Sequence, residues 1–322
     1  MRALVCHRLS DDRSGLRVET DWPEPRAPGP GEVTVAMTVA SLNYPDLLML
    51  SGGYQYAPEL PFIPGMEGVG VIAAVGEDVS GELIGERVVV GARSGCMAER
   101  LTLGLAAVRS VPHGLHDAQA AAHTVGGLTA WVGLVARGRM AAGERVLVLG
   151  AGGGMGWAAV QLASALGAVP IAATSDPGKV ALLQAAGAAQ VVVVDRAGPD
   201  FGGTKDIDLV FDPVGGALVL PALRTLRWGG RYLVIGSAGG EPVSVPLNRL
   251  LLKGIEIVGV RAGEAGRRDP GVGTEHLRRI DGLAADGKLG AHIGLDLSLE
   301  QAASAFDAMA AGQVTGKAVL RL

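Results

Sequence analysis

The sequence has little cysteine, no excess of basic residues and no leader-like start. Cys6 and Cys96 lie far apart and outside any CxxC pair, which excludes a disulfide framework and a cysteine-rich zinc lobe and favours a reducing compartment. The net charge of −4 excludes the basic surface typical of nucleic-acid-binding proteins. The first residues, MRALVCHRLSDDR, lack the apolar core and cleavage site of a signal peptide. We therefore expect a cytoplasmic protein that binds a small-molecule substrate, no nucleic acid and no membrane.

One long run of uncharged residues is at odds with the expectation that the protein does not enter a membrane. Residues 146–175 contain no Asp, Glu, Lys or Arg and are long enough to span a membrane. The run holds Pro170 and several glycines, however, and its hydrophobic period changes from strand to helix and back to strand. It is therefore interpreted as the interior of an α/β domain.

The character of the chain changes near residue 112. The first 110 residues are punctuated by prolines, and Val33, Val35, Met37 and Val39 alternate with other residues, which predicts a β-rich domain. From residue 117, short apolar strands alternate with helical periods, which predicts an α/β fold with a doubly wound parallel sheet. Six strands are expected in this sheet, at residues 146–149, 170–174, 191–194, 209–212, 232–236 and 255–260.

Three further elements are expected near the C-terminus. Helical periods occur around residues 275–286 and 299–310. Residues 316–322 then form a short apolar strand, which we expect to return to the first domain.

Residues 144–157, ERVLVLGAGGGMGW, carry the strongest local signal. A buried strand is followed by five glycines within residues 150–156 and then by a helical period. A strand, a glycine turn and a helix in this order lay the pyrophosphate of a dinucleotide on the helix N-terminus. The pattern predicts a cofactor site formed by Gly150, Ala151, Gly153, Gly154, Met155 and Gly156.

Several segments in the correct order resemble the medium-chain dehydrogenase/reductase superfamily, in particular its zinc-free quinone oxidoreductase (zeta-crystallin-like) branch. They lie at residues 43–46, 53–55, 60–70, 129–131, 150–156, 211–216, 230–236, 250–254 and 315–317. The resemblance extends over nearly the whole chain. It implies a GroES-like β-rich catalytic domain at 1–117 and 262–322, a Rossmann NADPH-binding domain inserted at 118–261, and an active-site cleft where they meet. It also implies a homodimer, which sedimentation of a monomer alone would contradict.

The zinc ligands of related alcohol dehydrogenases are missing. Those enzymes carry a cysteine near position 43 and Gly-His-Glu where this chain has Gly65-Met66-Glu67. The amide of Asn43 and the thioether of Met66 are poor zinc ligands. We therefore expect no metal, and hydride transfer then needs an acceptor that requires little activation, such as a quinone or an activated alkene.

The end of the second predicted strand favours NADPH over NADH. NAD-selective sites place an acidic residue there for the ribose 2′-hydroxyl. This chain has Thr174 and Ser175, and Lys179 offers a positive charge to a 2′-phosphate. Asp176 could repel that phosphate or serve as a helix N-cap before Pro177, and Lys179 could be an ordinary surface residue; both alternatives stay open.

The resemblance assigns roles to further residues. Asn43 and Asp46 are expected to line the nicotinamide and substrate pocket, although residues 43–46 could also be a helix-opening turn with Asp46 as its N-cap. Thr129 is expected to touch the nicotinamide end of the cofactor, or to be an ordinary helix residue. Other cofactor contacts are expected, with simple turns and a surface lysine as the alternatives, from Asp212, Val214, Gly236, Ser237, Ala238 and Lys317. The tryptophans Trp131, Trp157 and Trp228 are expected to serve in packing.

Tyr54 separates two candidate reactions. In related enoyl-thioester reductases, a tyrosine in a similar setting is the proposed proton donor, and residues 51–54 resemble that segment. Hydride addition to an enoyl β-carbon leaves an enolate that must be protonated, which would make Tyr54 catalytic; alternatively, its ring only covers the pocket. The leading hypothesis is an NADPH-dependent quinone reductase, and the alternative is an enoyl-thioester or α,β-unsaturated carbonyl reductase. A third hypothesis, a protein that binds NADPH but acts by association, is disfavoured in its RNA-binding form by the acidic charge.

Overall fold

A computed structural model describes residues 1–195, 197–240 and 243–322. Its contacts divide the chain into two compact units, Met1–Val125 with Ala291–Leu322, and Gly126–Gly290. The first unit contains both ends of the chain, as expected, and the second is one continuous segment.

β-Strands form most of the first unit. They are β1 (Ala3–Cys6), β2 (Leu16–Glu19), β3 (Glu32–Ser41), β4 (Glu67–Val75), β5 (Arg87–Gly91), β6 (Arg100–Gly104) and β7 (Val108–Ser110), with β14 (Ile293–Ser298) and β15 (Lys317–Arg321) from the C-terminal segment. β1 pairs with β2, and the larger sheet has the order β14-β15-β3-β4-β5-β7, with β6 also paired to β3. The final strand therefore returns to the first unit, as predicted, because β15 pairs antiparallel with β3.

The core of the first unit lies between this sheet and its helices. The predicted alternating face of β3 is buried, since Val33, Val35 and Val39 are 0% exposed. Met49 of α1 (Tyr44–Ser51) and Phe306 of α9 (Ala302–Ala310) pack into the same cluster. Helix α2 (Asp117–Trp131) contains the boundary between the units and continues as a π-helical turn over Val132–Arg137. Short 3-10 turns lie at Gly81–Leu83, Leu105–Ala107 and Leu299–Gln301.

The described part of the second unit contains a six-stranded parallel sheet. Its strands are β8 (Arg145–Val148), β9 (Val169–Thr174), β10 (Gln190–Val193), β11 (Ile207–Asp212), β12 (Leu226–Val234) and β13 (Glu256–Gly259). Their order is β10-β9-β8-β11-β12-β13, the doubly wound order of dinucleotide-binding folds. All six predicted strands are confirmed, although β12 begins earlier than predicted.

Both faces of this sheet are buried. Val146 and Val148 belong to one apolar cluster and Leu147 to the cluster on the opposite face, because successive side chains of a strand alternate. Burial on both faces explains why the strands read as continuous apolar runs. The helices of this unit are α3 (Gly154–Ala165), α4 (Val180–Ala185), α5 (Val219–Thr225), α6 (Asn248–Lys253), α7 (Ala262–Arg268) and α8 (Pro270–Ala285), with 3-10 turns at Pro177–Lys179 and Gly216–Leu218.

The limits of the units differ from the predicted domain limits. The second unit begins at Gly126 rather than at residue 118, and it ends at Gly290 rather than at residue 261. The later end has a clear cause, because Ile280 of α8 and Leu289 are buried in the apolar cluster of the parallel sheet. Helix α8 therefore belongs with the sheet and not with the C-terminal strands.

The long uncharged run is divided among β8, α3 and β9, as predicted. Among the described residues, no helix combines the length and the apolar character needed to cross a membrane. Trp157 is buried and donates its indole N–H to the Gly290 carbonyl oxygen at 3.2 Å. Trp228 is 71% exposed, and its ring lies beside Gly254.

Candidate functional site

The glycine turn between β8 and α3 is held tightly against the sheet. Gly150 has a φ of +59°, in the left-handed region that favours glycine. The Ala151 N–H donates to the Ala173 carbonyl oxygen of β9, and the Gly153 N–H donates to the Gly150 carbonyl oxygen, both at 3.0 Å. A Cβ on Gly156 would lie 2.4 Å from the Gly150 carbonyl oxygen. Glycine at position 156 therefore allows α3 to begin directly against the turn.

The start of α3 fits the pyrophosphate of a nicotinamide dinucleotide. Gly154 and Met155 form the first helical positions, and the N-cap Gly153 is extended. First-turn N–H groups have no acceptor within the helix, and the helix dipole favours an anion beside them. Helix α3, which is described in full, has no acidic residue in its first turn that would oppose a phosphate.

Lys179 lies beside the same turn. A Cβ on Gly152 would meet Lys179 Cδ at 2.6 Å and Nζ at 3.5 Å, and the lysine side chain is only 12% exposed. This burial excludes an ordinary surface position for Lys179. The position places a positive charge near the cofactor-binding turn.

Asp176 and Thr174 are engaged in the turn that follows β9. The Asp176 carboxylate accepts from the Gly178 N–H at 2.8 Å, as the N-cap alternative requires, and its other oxygen lies 3.9 Å from Lys179 Nζ. The buried Thr174 hydroxyl accepts from the Asp176 N–H at 3.2 Å, while Ser175 is exposed. Local hydrogen bonds therefore fix this corner and leave Ser175 at the surface.

The Asp212 carboxylate is bonded to the turn that follows β11. Its Oδ1 accepts from the N–H groups of Val214 and Gly215, both at 2.8 Å, and its Oδ2 accepts from the Tyr232 hydroxyl at 2.5 Å. Burial raises the pKa of Asp212 and also that of the Tyr232 phenol. Both carboxylate oxygens therefore hold the turn that follows β11, and the contact of Asp212 with the cofactor stays a prediction.

The turns after β11 and β12 are bonded to each other. Ala238 and Gly239 donate backbone N–H groups to the carbonyl oxygens of Pro213 and Val214, at 3.3 and 2.7 Å. The Val214 side chain fills the space beside Gly150 and Gly239, where an added Cβ would meet its methyl groups at 2.7 and 2.8 Å.

The structure thus brings together part of the predicted cofactor site at the carboxyl edge of the parallel sheet. The members are Gly150, Val214, Gly236, Ser237 and Ala238. Thr129 is half-buried in α2, and its contact with the cofactor stays a prediction.

A group of buried polar side chains forms a second candidate site, within the first unit. Lys317 Nζ donates to Asn43 Oδ1 at 2.6 Å and to Glu67 Oε1 at 2.8 Å. Asn43 Nδ2 donates to the same Glu67 oxygen at 3.1 Å, and Glu67 Oε2 accepts from the Val125 N–H at 2.8 Å. Asn43, Glu67 and Lys317, called here the buried triad, are 4%, 0% and 7% exposed.

Asp46 lies next to the buried triad but faces the backbone. It is the third residue of α1, and its oxygens accept from the N–H groups of Asn43 at 2.9 Å and Gly65 at 3.0 Å. Burial raises the pKa of Asp46 to about 7, although these two hydrogen bonds and Lys317 act in the opposite direction. Asn43, not Asp46, is the N-cap residue, and Asp46 holds the start of α1 in place of the predicted contact with substrate.

The sequence predictions are revised at two members of the triad. Lys317 is neither a surface lysine nor an open cofactor contact, because its buried amine is bonded to Asn43 and Glu67. Glu67 was not predicted as a site residue. The sequence feature that could have identified Glu67 is its position at the start of the apolar strand β4, because a buried carboxylate is expected to have a partner.

Tyr54 follows α1 in a loop. Its ring is half-buried and packs against the core of the first unit, together with Tyr56 and Leu47. This packing agrees with the covering role of the ring, and proton donation by its hydroxyl stays a prediction.

The donors near Asn43 do not fit zinc. Asn43 Oδ1 already accepts from an ammonium group, and Met66 supplies a thioether. Burial raises the pKa of the Cys96 thiol well above its usual value, with Asp46 and Glu67 adding to the effect, which disfavours the thiolate that metals bind. The described residues contain no group of three His, Cys, Asp or Glu side chains that could hold a metal ion.

Known proteins share both units. Residues 29–142 match the alcohol dehydrogenase GroES-like domain, and residues 154–272 match the zinc-binding dehydrogenase family. Quinone oxidoreductase-like protein 2 of Rattus norvegicus is 33% identical over 327 residues, which cover 100% of this chain and 92% of that protein.

Two further matches bear on the function. The quinone oxidoreductase of Thermus thermophilus, solved alone and with NADPH, has a TM-score of 0.83 and 33% identity, with 100% of both chains covered. A mycocerosic acid synthase-like polyketide synthase of Mycobacterium tuberculosis is 33% identical over 303 residues, which cover 91% of this chain and 14% of that protein.

The doubly wound sheet with its glycine turn, together with a GroES-like unit, defines an NAD(P)H-dependent oxidoreductase. The chain belongs to the quinone oxidoreductase-like proteins of the medium-chain dehydrogenase/reductase superfamily.

Proposed function

We propose that the protein is an NADPH-dependent quinone reductase that transfers hydride to a quinone or a similar electron-poor acceptor without zinc. The observation that carries the proposal is the buried triad, in which the residue that replaces a zinc ligand is an amide bonded to an ion pair. An acceptor that needs no Lewis acid suits this arrangement. The NADPH complex of the related Thermus thermophilus enzyme supports the choice of cofactor.

The residues of this chain bind and orient in this proposal rather than exchange protons. The cofactor, when bound, supplies the hydride. The glycine turn and the start of α3 hold its pyrophosphate, and Lys179 contacts its 2′-phosphate. Asn43 orients the acceptor by a hydrogen bond. Positioning of this kind lowers the barrier without a titrating side chain.

A screen of acceptors tests the proposal. The purified full-length chain is supplied with NADPH at a fixed concentration and with quinones, enones or enoyl thioesters, before and after dialysis against a chelator. We expect the fastest NADPH consumption with quinones and no effect of the chelator. Tightly bound stoichiometric zinc, with turnover abolished by chelation, would contradict the zinc-free reaction.

Lys179→Ala is expected to lower kcat/KM for NADPH by about 10- to 100-fold, the scale of one charge-assisted hydrogen bond. The value for NADH should change little, because NADH has no 2′-phosphate for Lys179 to contact. The exposed Lys205 of the same unit provides the control variant Lys205→Ala. A wild-type preference for NADH would refute the NADPH assignment.

An enoyl-thioester or α,β-unsaturated carbonyl reductase is the second candidate. The match to part of a polyketide synthase favours it. Tyr54→Phe separates the two candidates: a quinone reductase should lose less than about threefold in kcat, whereas an enoyl reductase with Tyr54 as general acid should lose about 100-fold or more. The loss is measured with the best acceptor of the screen.

A second copy of this chain is the proposed partner of the parallel sheet. β13 forms one edge of that sheet, with backbone groups open to pairing. An apolar surface lies on α6 and beside it, since Leu247, Leu251, Leu252 and Trp228 are 70–78% exposed. Edge-to-edge pairing in a homodimer would cover both features.

Sedimentation tests the homodimer. We expect the wild type to sediment at twice the 32.7 kDa of one chain. Leu251→Glu should shift it toward the monomer by placing a charge in the apolar surface, whereas Ile84→Glu, at an exposed position of the first unit, should not. A monomeric wild type would contradict the proposal.

A further inference from the structure

The two charged members of the buried triad determine which way the Asn43 amide faces. The Lys317 ammonium only donates hydrogen bonds, and the ionised Glu67 carboxylate only accepts them. The atom of Asn43 at 2.6 Å from Lys317 Nζ must therefore be the oxygen, and the atom at 3.1 Å from Glu67 Oε1 must be the nitrogen. The ion pair thus excludes the flipped amide, in which the Asn43 nitrogen would face the Lys317 ammonium and the Asn43 oxygen would face the Glu67 carboxylate.

This orientation leaves Asn43 with a spare donor. Its oxygen accepts from Lys317, and one Nδ2 hydrogen is bonded to Glu67. The other contact of Nδ2, to the Ser41 carbonyl oxygen, is 3.5 Å long, at the limit for a hydrogen bond. The second Nδ2 hydrogen is therefore held only weakly.

We propose that Glu67 and Lys317 are positioning residues that make Asn43 an obligatory hydrogen-bond donor to the carbonyl oxygen of the acceptor substrate. This inference rests on the proposed function, in which a quinone or an enone accepts the hydride. Such acceptors present a carbonyl oxygen and no donor, so only the amide nitrogen suits them. A flipped Asn43 would present its oxygen to the substrate carbonyl and repel it.

A purely structural role for the ion pair is the competing explanation. Glu67 also accepts from the Val125 backbone N–H, and the Lys317 backbone N–H donates to the His292 carbonyl oxygen, both at 2.8 Å. Removal of one charge alone would leave the other buried and unpaired, which destabilises proteins strongly. Removal of both charges is tolerated far better and separates positioning from stability.

The test is the double variant Glu67→Gln/Lys317→Met in the full-length chain. We expect it to fold, to unfold thermally near the wild-type midpoint and to keep its Kd for NADPH within about threefold, because the glycine turn is untouched. Its kcat/KM for quinones should fall about tenfold or more, through loss of the oriented hydrogen bond. The control is Asp296→Asn/Arg321→Met, which removes an exposed ion pair involving the same strand β15 and should leave kcat/KM unchanged.

Nuclear magnetic resonance gives a readout that does not depend on turnover. The Asn43 side-chain amide signals are identified as the pair that disappears in Asn43→Ser. In the wild type, the bond to a carboxylate should shift one signal downfield and slow its exchange with water, and both effects should be lost in the double variant.

Each outcome decides one of the two proposals. Three outcomes would overturn the positioning roles of Glu67 and Lys317. They are a wild-type kcat/KM in the folded double variant, Asn43 amide signals that do not change in that variant, and a loss confined to NADPH binding. A wild type that shows the bonded amide but reduces no quinone or enone would overturn the proposed function and leave the orientation of Asn43 intact.

Discussion

Replacement of Gly156 by alanine is expected to weaken NADPH binding about 100-fold, the cost of displacing a binding group by about 1 Å. A Cβ at this position would lie 2.4 Å from the Gly150 carbonyl oxygen and 2.7 Å from Ala151 Cα. These are backbone atoms, so the turn or the helix must move to relieve the overlap. Either movement displaces the N–H groups that are proposed to bind the pyrophosphate. Fluorescence titration with NADPH measures the effect.

Gly282→Ala provides a matched control for Gly156→Ala. Gly282 is a helical glycine of the same unit, in α8, and an added Cβ there would meet no atom within 4 Å. This change should leave NADPH binding unchanged and stabilise the helix by roughly 0.5–1 kcal/mol. Wild-type affinity in a folded Gly156→Ala variant would show that the glycine turn is not the cofactor site.

The free energy of unfolding is expected to carry a pH-dependent contribution from Asp46 of about 4 kcal/mol. Burial raises the pKa of Asp46 from 3.8 to about 7 in the folded protein. Between these values the folded state binds more protons than the unfolded state, so the Asp46 contribution favours folding at low pH. It decreases as the pH rises through this window and is constant above about pH 7.

Asp46→Asn isolates this contribution. The difference in free energy of unfolding between wild type and variant, from urea titrations at several pH values, should fall as the pH rises from about 4 to about 7. An Asp46→Asn difference that is flat or rises with pH would mean that Asp46 is ionised throughout.

The parallel sheet and the glycine turn could be predicted because their signals are local. Strands buried on both faces need continuous apolar runs, and the six predicted runs all fall on strands. The turn needs glycine at position 150 because the φ there is positive, and at position 156 because the helix begins close to the turn. Both reasons involve only neighbouring residues. The order of the units and most candidate residues were predicted from the resemblance to known enzymes. The comparisons with known proteins confirmed the family.

Other features could not be predicted because they join distant parts of the chain. Lys317 bonds to Asn43, 274 positions away, so a motif near the C-terminus gave no sign that its amine was buried. Tyr232 donates to the buried carboxylate of Asp212, 20 positions away, and this bond was not predicted. The packing of Ile280 against the parallel sheet moved α8 into the second unit.

The sequence by itself determined the fold class and the glycine turn, because hydrophobic period and glycine spacing act over a few residues, and its resemblance to a known family implied the class of enzyme. Only the tertiary structure decided which polar side chains are open and which are occupied. A buried charge must find its partners wherever the fold brings them, and for Asn43 those partners are Glu67 and Lys317.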